Sequence, residues 1–273
     1  MEYTVIQYKV DDRVAWLTLD QPKKLNPLSI KLCAEFQDAL RVAERDPEVR
    51  VIVVKGAGHR AFSVGHDMAD QHGPRTLEDS IRHNAEACKF IRSVFDCPKP
   101  VIAMIDGYCL GMALGLAMMC DIRYCSDDSQ FGAIETRLAL GSTEIPMMSH
   151  LMGQRSRELA YTGDIFDANE AYRLGLANRI FPKESLEEET TRIAKRMSRV
   201  ALPTLMWSKK AFNTTLTAAG IDSALQHNFA TYLLITQSDS EFKRFDELLH
   251  SEGVKAALQW RDSIFEPFES GTS

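Results

Sequence analysis

The sequence predicts an α/β protein that ends in an all-helical region. Up to about residue 200, short runs rich in valine and isoleucine alternate with segments in which apolar residues recur at helical spacing. This alternation is typical of strands and helices packed in layers. Beyond Pro203 only the helical spacing remains. We therefore expect a core of residues 1–200 that carries the functional site, and a helical region of residues 201–273.

The bulk composition indicates a globular protein with no affinity for polyanions. The chain has 273 residues, of which 45% are hydrophobic and 26% charged, as is usual for globular domains. It has 32 Lys and Arg residues and 38 Asp and Glu residues, and no block of five basic residues occurs. We expect no nucleic-acid partner. The N-terminal sequence MEYTVIQYKVDDRV lacks the pattern of a secretory signal, which favours a cytoplasmic location.

Neither a metal site nor a membrane span is predicted. The six cysteines form no C-x-x-C pair and lie mostly among apolar residues, so we expect small buried side chains in a reducing compartment. His66, Asp67 and His72 complete no metal-binding motif. Residues 101–120 contain a single charge, but Asp106 lies within this run and Asp121 closes it. This segment is therefore expected to lie in the protein core rather than in a membrane.

The N-terminal half is predicted to begin with two strands, residues 5–10 and 14–19, joined by a turn. A polar loop leads to a helix over residues 28–45, for which Ser29 is a candidate N-cap. Residues 49–55 are apolar at nearly every position, as in strands of a parallel sheet that are buried on both faces. A loop over residues 56–67 and an amphipathic helix over residues 76–96 are expected to follow.

The segment from Pro100 to Glu135 organises the chain. It predicts a strand over residues 101–105, a glycine turn, a buried helix over residues 111–120 and a second strand over residues 122–125. This order leaves backbone N–H groups at a helix N-terminus. Such groups can hold a developing oxyanion while a carboxylate, here Glu135, moves protons nearby.

The remainder of the core is predicted to be mainly helical. We expect helices over residues 145–152, 155–161, 168–174 and 184–200, and one strand over residues 177–181. Two glycine-containing loops, residues 61–67 and 107–112, follow predicted strands, where open α/β sheets bind their ligands. Neither loop is a nucleotide-binding motif, and no G-x-S-x-G elbow occurs.

Taken together, six stretches resemble the enoyl-CoA hydratase/isomerase, or crotonase, family. They occur in the family's order, and the resemblance covers about residues 4–268. The matching stretches are DQPKKLNPLS, AFSVGHDM, KPVIAMIDGYCLG, LAMMCDIRY, SQFGAIETRLAL and YTGDIFDANEAYRLGLANRIFP.

The resemblance implies a spiral of ββα turns and a C-terminal helical region that forms trimers, which often pair as hexamers. It implies acyl-CoA thioesters as substrates, with coenzyme A as part of the substrate and no separate cofactor. The family's oxyanion hole falls on the backbone N–H groups of His66 and Met112, next to Gly111 and Gly115 in the substrate site. The ring of His66 is expected to follow the CoA path or to cover the mouth of the pocket.

Two further segments resemble the family's contacts to coenzyme A. One consists of Lys23, Lys24 and Leu25, where the lysines could face phosphates as point charges. The other runs from His66 through Asp67 and Met68 to Ala69. The alternative for the lysines is an exposed loop without a ligand, because charged runs usually lie at the surface.

The carboxylates depart from the family's pattern. Hydratases of the family use two glutamates, of which the later one matches Glu135, whereas the earlier one falls on Gly115. Isomerases of the family work with the later glutamate, and some hydratase-lyases acting on aromatic acyl-CoAs also lack the earlier one. Dienoyl-CoA isomerases place another acid about eight residues past the later glutamate, near Glu144 here. The alternative for Glu144 is a glutamate without a catalytic role, either at the surface or at a helix start.

The sequence thus favours an enzyme that shifts a double bond in an enoyl-CoA, with Glu135 as the general base. Burial against an apolar pocket is expected to raise the pKa of this base. Two alternatives stay open at this point: a hydratase in which Glu144 supplies the second carboxylate, and an acyl-CoA-binding oligomer without catalytic activity.

Overall fold

The computed structural model describes residues 3–70, 76–238 and 241–269, so His72 lies outside the described residues. In chain order its strands are β1 (Ile6–Asp11), β2 (Val14–Leu19), β3 (Val51–Gly56), β4 (Ala61–Ser63), β5 (Val101–Ile105), β6 (Tyr108–Leu110), β7 (Ile122–Ser126), β8 (Gln130–Gly132), β9 (Phe166–Asp167) and β10 (Arg179–Phe181). The α-helices are α1 (Ile30–Arg45), α2 (Leu77–Asp96), α3 (Met112–Met119), α4 (Ile145–Met152), α5 (Ser156–Thr162), α6 (Ala168–Arg173), α7 (Leu186–Met197), α8 (Leu202–Ala218), α9 (Ile221–Gln237), α10 (Glu241–Ser251) and α11 (Val254–Phe265).

The strands form two sheets. The larger one has the order β1-β2-β3-β5-β7-β10 and is parallel except for the β1–β2 hairpin. The smaller one has the order β4-β6-β8-β9, in which only β9 is antiparallel to its neighbour. The pairs β3–β4, β5–β6 and β7–β8 each place one strand in the large sheet and the next in the small sheet before the chain enters helical structure. This repetition is the predicted ββα spiral.

The valine-rich strand β3 explains why the large sheet is parallel. Val51 and Val53 pack on one face with Leu186 and Ile193 of α7. Ile52 and Val54 pack on the opposite face, in the main core that includes α1 and α3. A strand buried on both faces needs apolar residues at consecutive positions, and parallel sheets covered on both sides supply that environment. The prediction from the sequence is confirmed.

Most predicted helices are present, and their first turns show why they begin where they do. The side chain of Ser29 accepts a hydrogen bond from the Leu32 amide at 3.1 Å, which confirms it as the N-cap of α1. Thr76 and Asp79 form a reciprocal capping box at the start of α2. Helices α8 to α11 make up the C-terminal region, whose role in trimer formation stays a prediction.

Two predictions about loops are wrong. Residues 56–67 are not a loop throughout, because β4 lies within them, and the turn after β5 leads directly into β6. In addition, a 3₁₀ helix spans Ile134–Leu138 in the predicted loop before α4. These strands of the small sheet have three residues or fewer, which is too short for a period of two to be visible in the sequence.

Candidate active site

The loops after β4 and β6 meet at Gly65. A Cβ at this glycine would lie 2.7 Å from the Leu110 carbonyl oxygen and 3.2 Å from the Met112 amide nitrogen, and its φ is +86°. Only glycine fits such a close approach in the left-handed region. The Leu28 amide donates to the Gly65 carbonyl at 2.7 Å, and the Asp67 amide donates to the Leu28 carbonyl at 3.4 Å, so Leu28 holds the backbone on both sides of His66 in a parallel bridge. The two residues predicted for the oxyanion hole therefore lie in adjoining loops and line the same pocket.

Gly111 makes a carboxyl contact possible at the start of α3. Its φ is +53°, and a Cβ there would lie 2.5 Å from Glu135 Oε1 and 3.0 Å from its Cδ. The backbone amide of Met112, the first residue of α3, faces the same carboxyl group. The glycine thus lets the carboxyl group of Glu135 reach the amides at the helix N-terminus, where partial positive charge accumulates.

Glu135 is placed by the 3₁₀ helix that spans Ile134–Leu138. Burial raises its pKa well above the usual 4.5, and the neighbouring charge of Glu144 raises it further. The Met112 amide lowers the pKa, but by less than burial raises it. Its Oε2 atom has no hydrogen-bond partner among the described residues. The prediction that this carboxyl group faces an apolar pocket with a raised pKa is confirmed.

Glu144 is the N-cap residue of α4, so it lies at a helix start, but it is only 1% exposed and is not a surface residue. The hydroxyl of Ser142 donates a short hydrogen bond to its Oε2, and Thr143 donates to its Oε1 at 3.1 Å. Burial raises the pKa of Glu144, whereas these two hydrogen bonds lower it. Sequence spacing alone does not indicate that this side chain turns inward.

Glu144 also lies against Gly115, the position where hydratases of the family have their earlier glutamate. A Cβ at Gly115 would lie 3.0 Å from Glu144 Oε1, 3.1 Å from its Cγ and 3.4 Å from Ile91 Cδ1. The space beside Gly115 is therefore filled by the side chain of Glu144 and the packing of α2. Two buried carboxyl groups, each influencing the other's protonation, result from this arrangement.

The pocket around these groups has a volume of about 840 Å³, part of which is open to solvent. Gly111, Met112, Glu135 and Thr143 lie on one part of its wall. The apolar part of the wall comes from several elements, including the C-terminal helices. It includes Val64, Met68, Ile134, Leu138, Leu140, Phe242 and Phe245. An apolar chain with a polar head group fits such a lining.

The residues predicted for the CoA path lie at different distances from this pocket. Lys23 and Lys24 are exposed in a 3₁₀ turn and do not line it. Leu25, at φ +66°, ties this turn to the end of β4, because its carbonyl accepts a hydrogen bond from the Val64 amide at 3.2 Å. The second predicted segment is partly at the wall: Met68 lines the pocket, whereas Asp67 does not.

Three residues of the site had no signal in the sequence. The ring of His83 stacks edge-on against the ring of His66, with 4.7 Å between the centroids, so the predicted histidine is held at the pocket wall. Asn84, on the same helix α2, lines the pocket while buried. Asn26 follows the predicted CoA contact at Lys23, Lys24 and Leu25 and anchors it. Its Nδ2 donates to the carbonyls of Ala57 and Ala61 at 2.9 Å each.

The described residues contain neither a candidate metal centre nor a membrane-spanning helix. In residues 3–70, 76–238 and 241–269, no three His, Cys, Asp or Glu side chains are grouped so that they could hold a metal ion. Within the same ranges, no helix is long and apolar enough to cross a bilayer. Of the six cysteines, Cys97, Cys109, Cys120 and Cys125 are buried as free thiols, as expected.

A two-sheet spiral with a buried carboxyl pair at a helix N-terminus defines the class of protein, and comparison with known families identifies it. The family model described as enoyl-CoA hydratase/isomerase matches residues 9–262. The chain therefore belongs to the enoyl-CoA hydratase/isomerase family.

Individual relatives match 82% or more of the chain. A crotonyl-CoA hydratase from Syntrophomonas wolfei is 31% identical over 271 residues, which are 97% of this chain and 99% of the relative. A short-chain-enoyl-CoA hydratase from Clostridium acetobutylicum is 30% identical over 230 residues, covering 82% and 87%. The crystal structure of an enoyl-CoA hydratase/isomerase from Xanthobacter autotrophicus Py2 superposes with a TM-score of 0.90 at 29% identity, covering 97% of this chain and 99% of the other.

Proposed function

We propose that the protein moves a double bond in an unsaturated acyl-CoA thioester by transferring protons between carbon atoms of the acyl group. The observation that supports this proposal most directly is the placement of two buried carboxyl groups beside the first turn of α3, that of Glu135 against Gly111 and that of Glu144 against Gly115. Two carboxyl groups with raised pKa values that repel each other's charge tend to share one proton, so that one acts as base and the other as acid.

The thioester carbonyl is proposed to accept hydrogen bonds from the backbone N–H groups of His66 and Met112. These donors stabilise negative charge on the carbonyl oxygen and acidify the neighbouring carbon atoms. In a 2-enoyl substrate, the ionised carboxylate takes a proton from the γ carbon. The electron pair of that C–H bond delocalises onto the thioester oxygen as a dienolate. Return of a proton to the α carbon then gives the 3-enoyl isomer, and the reverse sequence gives the 2-enoyl isomer.

Glu135 is proposed as the main base, because its carboxyl group faces both the pocket and the Met112 amide. Substrate binding redirects that amide to the thioester oxygen, which removes an interaction favouring the ionised form of Glu135. The carboxylate becomes more basic when it is needed. Glu144, stabilised by two hydroxyl donors, is proposed as its partner.

Hydration is the second candidate, and the position of Glu144 favours it. Because this carboxyl group lies beside Gly115, it stands close to where the earlier glutamate of a hydratase would be. A water molecule held by the two carboxyl groups would add its oxygen to the β carbon, while its proton passes to one carboxylate and the other group protonates the α carbon. The relatives from Syntrophomonas wolfei and Clostridium acetobutylicum are named hydratases.

Incubation with 2-enoyl-CoA and 3-enoyl-CoA substrates in ordinary and heavy water separates the candidates. Double-bond migration should give a product of unchanged mass in ordinary water, with deuterium at the α or γ carbon in heavy water. A product whose mass exceeds that of the substrate by one water molecule would favour hydration instead. Acyl-CoA that binds without turnover or deuterium exchange would overturn both and favour the binding oligomer.

A further inference from the structure

Asn84 is a buried amide in the wall of the substrate pocket that the proposed mechanism does not use. It lies on α2 and is 3% exposed, and its pocket-lining neighbours include Ala87 on its own helix and Glu135 and Thr143 across the pocket. A polar side chain with so little exposure is unusual unless its donors and acceptors are paired.

Only one end of this amide is paired. The thiol of Cys88 donates to Asn84 Oδ1 across 3.9 Å, one turn further along α2. The Nδ2 atom is buried, and no acceptor lies within hydrogen-bond distance of it among the described residues. Two N–H donors are thereby buried without a partner in a residue that lines a largely apolar pocket. Leaving them unpaired costs free energy that a suitable ligand recovers.

Asn84 lies on the face of α2 that leads to the carboxyl pair. Cys88, the next residue along this face, has a pKa raised to about 11, first by burial and then by the charge of Glu144. Ile91, one turn further, lies against the space beside Gly115. Of these three residues only Asn84 lines the substrate pocket. Because the proposed function places the thioester carbonyl at His66 and Met112, we take Asn84 to lie beside the acyl part of the substrate.

The charge of the pocket restricts what can bind there. Two carboxyl groups lie in or beside it, and among the described residues that line it there is no Lys or Arg. A carboxylate on the substrate would meet these groups without a compensating cation. A carbonyl, ether or hydroxyl oxygen accepts a hydrogen bond without bringing a charge.

We propose that Asn84 is a specificity-determining residue whose Nδ2 donates a hydrogen bond to a neutral oxygen atom on the acyl group. The substrates are then enoyl-CoAs whose acyl chain carries an oxygen atom in addition to the thioester carbonyl. Acyl-CoAs of the same length with a plain hydrocarbon chain are poorer ligands. This inference rests on the proposed function, because it takes the thioester to be at the two backbone N–H groups.

Binding of unreactive ligands tests the inference separately from turnover. Saturated acyl-CoAs would be titrated by calorimetry in pairs that differ only by a ketone, ether or hydroxyl oxygen along the chain. The wild-type protein should bind at least one oxygenated member roughly tenfold to a hundredfold more tightly than its hydrocarbon partner. Asn84→Leu, which keeps the size and removes the donor, should abolish that difference and leave the hydrocarbon affinity unchanged or improved.

The unfolding temperature of the unliganded protein distinguishes a role in specificity from a structural role. If Asn84 were needed for the structure, Asn84→Leu would lower that temperature. Asn84→Leu should unfold at the same temperature as wild type or higher, because it removes an unpaired buried donor. Asn213 is the matched control: its Nδ2 donates to the Phe95 carbonyl at 2.8 Å, so Asn213→Leu should lower the unfolding temperature without changing ligand preference.

The possible failures differ from one another. A wild-type protein that binds both members of every pair equally, or an Asn84→Leu variant that loses affinity for both to the same extent, overturns the role of Asn84 and leaves the proposed function standing. A wild-type protein that binds no acyl-CoA overturns the proposed function, and this inference with it. A large loss of stability in Asn84→Leu assigns the residue to the scaffold and overturns the inference.

Discussion

The carboxyl group of Glu144 occupies the space that a side chain at Gly115 would need. Its Oε1 and Cγ lie 3.0 and 3.1 Å from the position of a Cβ at that glycine. Gly115 lies inside α3, every residue of which is buried. The absence of a side chain at Gly115 therefore leaves the space that the carboxyl group of Glu144 occupies.

Gly115→Ala should destabilise the protein even though alanine favours helices. The added methyl group would press on Glu144, and overpacking of this kind costs about 1–3 kcal/mol in the free energy of unfolding. Glu144→Ala in the same chain should recover part of this loss, because it empties the space. Urea unfolding of both single variants and the double variant measures the coupling, which strict additivity would contradict.

Glu135→Gln should reduce kcat for enoyl-CoA turnover by roughly 10²- to 10⁴-fold, since the amide keeps the size of the side chain but cannot accept a proton. Acyl-CoA affinity should change little. Glu48, which is exposed, is the control: Glu48→Gln should leave both quantities at their wild-type values. Retention of full activity by Glu135→Gln would remove this residue from the mechanism.

Ser142→Ala should shift the pH dependence of kcat/KM rather than abolish activity. The Ser142 hydroxyl lowers the pKa of the Glu144 carboxyl group by donating to it, so its loss should raise that pKa. The limb of the pH–rate profile that depends on Glu144 should move to higher pH. Ser263→Ala, which removes an exposed hydroxyl bonded to the Trp260 carbonyl, should leave the profile in place. An unmoved profile in Ser142→Ala would mean that Glu144 does not titrate in the reaction.

Stability should fall as the pH rises above the ordinary carboxyl range. Both glutamates have pKa values raised above the usual 4.5 in the folded protein. Between 4.5 and the raised values, the unfolded chain has lost protons that the folded protein still holds, so rising pH favours unfolding. This contribution is fully present below pH 4.5 and disappears as the pH passes the folded pKa values.

Glu135→Gln and Glu144→Gln should each weaken this pH dependence and unfold at a higher denaturant concentration than wild type near neutral pH. Chemical denaturation across the carboxyl range and up to neutral pH provides the measurement. If the free energy of unfolding rose with pH over that interval, and by the same amount in wild type and both variants, the raised pKa values would be contradicted.

The sequence predicted the large sheet well because its strands are strongly apolar and long enough to show their pattern. β3 illustrates this, since burial on both faces leaves a run of valine and isoleucine. The small sheet was missed because its strands pair with partners distant in the chain and have at most three residues each. Residues such as Ala61–Ser63 are fixed by tertiary contacts rather than by local preference.

The candidate site divides in the same way. Met112 and Glu135 could be proposed because the glycine-containing stretches around them resemble motifs of the family. The burial of Glu144 depends on the length and course of residues 136–144, which no local pattern specifies. Asn84 lies in an amphipathic helix of ordinary appearance, and only the packing of α2 around the pocket makes it a buried polar residue.

The amide of Asn228, on α9, donates to the carbonyl of Ser142 at 3.0 Å, and Gly141 packs closely against Tyr232 of the same helix. The segment that positions Glu144 is thus held by a helix close to the C-terminal end of the sequence. During synthesis, residues up to α4 leave the ribosome well before α9 does, and domains begin to fold from the N-terminal side. In a nascent chain, the carboxyl pair could accordingly be complete only after α9 has left the ribosome and packed against residues 141–142.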